Sequence, residues 1–269
     1  MKLRYGYIIM GIVTGFMMFL QWIPALPDGK LHVMFCDVKQ GDAMIVRFPD
    51  GRLMMVDTGP GATGLACLGK YLPFFQKTID ILVISHPQED HAAGLPAILS
   101  RYRVTHIIHA GARPRGDLGK EIAAILGTKQ VTEHMMYAGD SIVVGGVAVR
   151  SLSPAAPLDN QYISWKQHSL AHTDADTSAV LGATSSDMNM DSIVLHLAYG
   201  DFDVILTGDA DAKSQSSLEP IHVADGRVEL LKVPHHGAKN GMSESFLTSL
   251  CPRCTSTSSI RPAAIISVG

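Results

Sequence analysis

The chain is poor in charge. Asp, Glu, Lys and Arg make up 17% of its 269 residues, and the formal net charge is −3. Coating nucleic acid by bulk electrostatics needs a large positive excess, so that class of protein is excluded. An enzyme that grips phosphates through a metal is not. Disorder is excluded too, because 46% of the residues are hydrophobic and the mean hydropathy is +0.17, enough apolar surface to offset the entropy of ordering. Cysteine is scarce. Cys36, Cys67, Cys251 and Cys254 are too few for a disulfide scaffold in so long a chain. Cys36 and Cys67 are expected as small buried hydrophobes, and Cys251 with Cys254 as a disulfide or two free thiols, since no second pair completes a zinc site. There is no repeat and no low-complexity tract, and no linker stands out beyond residue 28. One body is therefore expected over 29–269, at a length that allows a substantial core.

Residues 1–28 differ from this body. Lys2 and Arg4 precede an apolar run, and the first acid is Asp28. A positive start, apolar middle and polar exit predict a membrane anchor or signal segment, with 5–26 just long enough to span and the body outside the cytoplasm. In the body, short apolar runs predict strands at 31–36, 43–48, 52–56, 81–84, 105–109, 141–144, 147–152, 192–198, 204–206, 229–233 and 263–268. Helical spacing predicts helices at 65–75, 95–101, 120–126 and 243–250. Pro49-Asp50-Gly51 and Gly145-Gly146 read as hairpin turns, and 153–187 as a long polar loop. Paired strands with helices between them predict two sheets covered by helices.

Histidine is plentiful, at 12 residues, and its placement carries the chemistry. The strand 81–84 ends in Ser85-His86-Pro87-Gln88-Glu89-Asp90-His91, the strand 204–206 in Thr207-Gly208-Asp209, and the strand 229–233 in Pro234-His235-His236-Gly237. Imidazoles and carboxylates at the ends of three apolar strands can converge on one sheet edge and hold a divalent transition metal. A fourth acid, Asp57, follows the strand 52–56. The stretch His172–Asp176 imitates the first motif but follows no apolar strand, and reads as a loop. Basic residues gather between 100 and 120 at Arg101, Arg103, Arg113, Arg115 and Lys120. They form either a phosphate-facing patch, with Arg113 and Arg115 as substrate contacts, or an ordinary solvated face.

With these motifs the chain resembles the metallo-β-lactamase-fold hydrolases and, more narrowly, the nuclease-like domain of ComEC-type competence proteins, which serve DNA uptake. The resemblance rests on Asp37-Val38-Lys39-Gln40-Gly41-Asp42, Asp57-Thr58-Gly59, Leu206-Thr207-Gly208-Asp209, Lys232-Val233-Pro234-His235-His236-Gly237 and Ile266-Ser267-Val268-Gly269, and it covers about 31–269. It implies an α/β (α+β) fold, the αββα four-layer sandwich, here with an N-terminal hydrophobic helix. It implies one or two divalent ions, zinc or manganese, held by His86, Asp90, His91, Asp209 and His235. Asp90, Asp209 and His236 are then the catalytic residues: a metal-bound hydroxide attacks phosphorus, and His236 contacts the substrate or gives a proton to the leaving oxygen. Either of the two adjacent histidines can ligate, and His235 is the expected ligand. Asp37, Asp42 and Asp57 are expected to support ligands by hydrogen bonds.

The implied function is an extracytoplasmic nuclease or phosphodiesterase acting on DNA, single-stranded by expectation, with the uptake machinery and the membrane as partners. The alternatives are a hydrolase of a small ester, lactone or β-lactam, and a non-catalytic uptake accessory. Three departures stand against the family pattern. Gln88 replaces a His or Asp and weakens one metal position. Lys39 replaces a glycine and puts a cation beside Asp37 and Asp42. The pattern also runs on beyond Gly269 to an Asn and a His, which predicts a shortened site. Ser192, like its ComEC-type counterpart, stands where wider relatives carry another His, and could orient a water or a phosphate.

Overall fold

The structure is a computed structural model and describes residues 2–20, 26–156, 191–218, 228–250 and 263–266. Two six-stranded sheets face each other. The first runs in order β1 (His32–Phe35), β2 (Met44–Arg47), β3 (Leu53–Val56), β4 (Thr78–Val83), β5 (Arg103–His109), β6 (Thr132–Met135). The second contains β7 (Ser141–Val144), β8 (Val147–Ser153), β9 (Val194–Tyr199), β10 (Phe202–Leu206), β11 (Leu230–Lys232) and β12 (Ala263–Ile265), each beside the next. The two share a plan. In the first, β1, β2 and β3 pair antiparallel and β3 to β6 parallel. In the second, β7 to β10 pair antiparallel and β10 to β12 parallel.

Alternation along the strands decides which side chains fill which layer. Met44, Val46, Met54, Val56 and Val83 from the first sheet meet Val147, Val149, Leu195, Leu197 and Val204 from the second in the central core. The opposite face of the first sheet, through Ile45, Met55 and Leu82, packs under α2 (Thr63–Tyr71), α4 (Leu95–Arg101) and α5 (Gly116–Leu126). The outer face of the second, through Val194, Ile205 and Leu231, packs on Phe246 and Leu250 of α6 (Glu244–Ser249) and its C-cap. At roughly 1.5–3 kcal/mol for each fully buried large apolar side chain, these layers supply the main driving force for the fold. The result is the expected four-layer αββα sandwich.

The structure departs from these readings in four places. Cys36 and Cys67 are joined by a disulfide, with Cα atoms 5.8 Å apart; their spacing of 31 residues carried no such signal, and the contact arises because α2 folds back onto the end of β1. β6 was not expected, because Thr132-Glu133-His134-Met135 lacks an apolar run; it forms by parallel pairing to β5 at the sheet edge. The short α3 (Glu89–Ala92) inside the first motif was likewise unread. Finally, the N-terminal segment is helical as α1 (Lys2–Leu20), with Ile8, Ile9, Ile12 and Phe16 exposed, but among the described residues no helix is long and apolar enough to cross a membrane. Its 19 residues rise about 28 Å at ~1.5 Å each, against a hydrocarbon core of ~30 Å. The stretch His172–Asp176, Cys251 and Cys254 lie outside the described residues.

Candidate metal centre

The parallel strands of both sheets end on one edge, and three loops from the first sheet are stitched together there by backbone hydrogen bonds. Asp42 N donates to Asp90 O (3.2 Å), Thr58 N to His91 O (2.7 Å), Gly59 N to Asp42 O (2.8 Å) and Gly94 N to Gly59 O (2.9 Å). Backbones this close leave no room for side chains. A Cβ on Gly41, at φ +121°, would lie 2.2 Å from Asp90 O, and one on Gly94 2.4 Å from Thr58 O. These glycines bring the Asp42, Asp57 and His91 loops within reach of each other. The second sheet joins through Ile193 N, which donates to Ser85 O at 2.8 Å.

Asp90, His91, Asp209 and His236 converge here, their nearest ligand atoms all within 4.8 Å of one another. His91 Nε2 lies 3.4 Å from Asp209 Oδ2, and His236 Nε2 lies 3.2 Å from the same oxygen and 3.4 Å from Asp90 Oδ2. Four donors around one tetrahedral ion at ~2.1 Å stand ~3.4 Å apart, so this set fits a divalent transition metal. Asp57 is wholly buried behind it. Its Oδ2 accepts from His91 Nδ1 at 2.8 Å and from Ser85 Oγ at 2.7 Å, and its Oδ1 accepts from Ser85 N at 2.7 Å. The bond to Nδ1 fixes the His91 ring with Nε2 facing the carboxylates. Asp57, Asp42 and His91 form a second, fully buried group of possible ligands, and Asp37 is exposed.

The electrostatics follow from this packing. Burial opposes a charged His91, but Asp57, Asp209 and Asp42 outweigh it and hold its pKa up at about 10. His236 is held at about 9 by hydrogen bonds to Asp209 and Asp90, against burial. Burial would raise Asp209, yet His236, His91 and Lys232 hold it well below the carboxylate range, and His236 lowers Asp90. His86 goes the other way, because burial and the charge of His91 push it down to about 4.

The expected residues are thus partly brought together. Asp90, His91 and Asp209 meet. His236 joins them, where His235 was the expected ligand: His235 Nδ1 is buried without a hydrogen-bond partner, and its ring centroid is 6.3 Å from that of His236. Both residues take left-handed backbone angles, φ 47° and 51°, a twist that separates the two rings and that adjacent identical residues cannot reveal in a sequence. His86 packs beside His91, ring centroids 4.1 Å apart, with Nδ1 3.1 Å from Ser85 Oγ; it is not part of the four-residue group. Its Nε2 and Ser192 Oγ are buried without a hydrogen-bond partner, and Gln88 acts on His86 against the effect of burial.

The basic run does not form one patch. Arg101 and Arg103 lie at the N-terminal end of β5, beside a hollow of about 420 Å³ shared with Lys129, while Arg113 and Arg115 follow its C-terminal end. Arg113 pairs with Glu133 at 2.8 Å and Lys120 with Asp117 at 3.0 Å; Arg115 is exposed. A cleft of about 510 Å³ opens beside Asp90, lined by Val38, Lys39, Gln40, Pro60 and Glu89. Sequence reasoning missed Lys39 as a cleft residue, though its place in a glycine position was a signal: it takes φ 64°.

Two facing sheets with helices outside, and a His/Asp cluster where their strands end, define the metallo-β-lactamase fold. Residues 36–159 match the model of the metallo-beta-lactamase superfamily, and the chain has the fold of that superfamily of hydrolases. Among curated proteins it is 23% identical over 272 residues to ComE operon protein 3 of Bacillus subtilis, covering 94% of this chain and 30% of that one. It is 27% identical over 221 residues to Recombination protein 2 of Haemophilus influenzae, covering 80% and 22%. The chain therefore spans less than a third of the length of these relatives. Among solved structures it superposes on the Rm3 metallo-β-lactamase with a TM-score of 0.46 at 13% identity, covering 80% of this chain and 81% of that one.

Proposed function

We propose that this chain is a metal-dependent phosphodiesterase that cuts DNA, single-stranded DNA foremost, during uptake outside the cytoplasm. The observation that carries the reading is the group Asp90, His91, Asp209 and His236, with Asp57 orienting His91 from behind. These four residues would hold a divalent zinc or manganese ion, which supplies Lewis-acid stabilisation of a phosphodiester and an activated water. Asp57 keeps Nδ1 of His91 occupied, so that only Nε2 is offered to the ion. The cleft beside Asp90 gives an extended strand a way in, with Lys39 at its wall. Arg113 and Arg115 follow β5 on the same edge as the cluster, and are proposed to meet the flanking phosphates.

The Cys36–Cys67 disulfide supports an oxidising location, because such bonds persist outside the cytoplasm. The exposed apolar side chains of α1 are proposed to attach the body to a membrane surface. The two curated relatives, a competence-operon product and a recombination protein by name, favour DNA over a small ester, lactone or β-lactam.

The test is cleavage of a labelled single-stranded oligonucleotide, of bis-p-nitrophenyl phosphate and of nitrocefin, with zinc or manganese supplied. The parent should cut the first two only, and Asp209→Ala should lower both rates by about a hundredfold or more, the usual scale for losing a group that holds charge in a dry site. Turnover of nitrocefin without any phosphodiester cleavage would overturn the reading.

A further inference from the structure

Lys232 is the one large cation sealed within this centre among the described residues, and the chemistry above leaves it without a part. It closes β11, and its side chain is 1% exposed. Its Nζ contacts Asp42 Oδ2, donates to Gly208 O at 2.8 Å and lies 3.5 Å from Asp209 Oδ1. A buried ammonium is tolerated only where carboxylates and carbonyls repay its lost hydration, and Asp42, itself 2% exposed, repays most of it.

We propose that Lys232 is a fixed cation of the centre that limits it to a single divalent ion. The two oxygens of Asp209 face different ways. Oδ2 faces His91 and His236, the candidate ligands, while Oδ1 faces Lys232. A second ion held through Oδ1 of Asp209 would stand against the ammonium. Its other donors would be His86, Gln88 and Ser192, none of which brings a negative charge. The balance of charge agrees. Asp42, Asp57, Asp90 and Asp209 less the ammonium leave three negative charges. One divalent ion leaves one, whereas a second would turn a largely buried centre, in which Asp90 alone of the carboxylates is part-exposed, positive unless a hydroxide came with it.

The proposal rests on the metal reading but not on the substrate, and its readout is the ion count. Native mass spectrometry of the full chain with manganese or zinc alone should show one ion in the parent and a second in Lys232→Met. Should Lys232→Met fail to fold, Asp42→Asn and the double variant Asp42→Asn/Lys232→Met carry the test. Asp42→Asn leaves the ammonium uncompensated and should weaken binding of the ion, read by calorimetry, about tenfold or more. The double variant removes both charges and should return the affinity to within about threefold of the parent. A double variant as weak as Asp42→Asn would make Asp42 a ligand and overturn the proposal. So would two ions in the parent, or a Lys232→Met variant that folds and still takes one. A parent that binds no ion would end this proposal and the metal reading together, whereas failure of the DNA reading alone would appear only in the cleavage assay.

Discussion

Asp57 stands behind His91, and its influence on a bound ion runs through the imidazole it holds at 2.8 Å. Asp57→Asn keeps the volume but loses the charge that orients and polarises the ring. Calorimetric titration with zinc should show affinity lowered by about 10–100-fold, the usual cost of removing such a partner. The same residue shapes the pH response. With pKa values of about 10 and 9, His91 and His236 are charged at neutral pH in the metal-free protein. Binding an ion through both rings must expel those protons, so metal affinity should rise with pH until about pH 9–10. At pH 7, binding enthalpies measured in buffers of different ionisation heat should report about two protons released. In the metal-free protein, groups raised above their unfolded value of 6.5 stabilise the fold fully below that pH and lose the contribution as pH climbs through 9 and 10. The melting temperature of chelator-treated protein should therefore fall between pH 6.5 and 10. His86, lowered to about 4, has its own dependence below 6.5 and does not reverse this. The sequence made Asp90, His91 and Asp209 legible because each follows an apolar strand. It could not separate His235 from His236, since spacing is blind to the backbone twist that divides two neighbouring rings.

Among the elements, strands with continuous apolar runs were readable and those without were not. β4 and β10 are buried on both faces along most of their length, and their sequences say so. β6 is partly exposed and owes its existence to β5, a neighbour that no local pattern reveals. The disulfide is the same lesson: residues 31 apart meet only because α2 returns across the sheet. It ties the entry of the Asp37–Asp42 loop to α2, and closing a loop of that size is worth about 2–4 kcal/mol. Cys36→Ser/Cys67→Ser should lose about that much in urea denaturation. Reducing agent should produce the same loss in the parent and none in the variant, and equal curves with and without reductant in the parent would show that the bond carries no stability.

For the molecule as a whole, the net charge of −3 gives no general attraction for DNA, so the contacts of the proposed reading must be local. β5 is seven residues long, which at ~3.3 Å per residue separates the arginines at its two ends by roughly 20 Å or more. Arg113→Ala/Arg115→Ala should weaken binding of single-stranded DNA and flatten its salt dependence by about one to two in log–log slope, since each lost phosphate contact releases one counterion fewer. Arg101→Ala/Arg103→Ala, at the far end, should leave both unchanged; equal losses from the two pairs in a salt titration would show that no edge is preferred. The two sheets also divide the centre between them. Asp57, His86, Asp90 and His91 leave the first sheet, while Asp209, Lys232 and His236 belong to the second. A chain emerging from the ribosome thus carries the early candidate ligands long before their partners exist, and cannot assemble the centre until residue 236 is out and the sheets have closed. On the proposed reading, cutting competence is gained late in synthesis, a safeguard for any cell that makes such an enzyme close to its own chromosome.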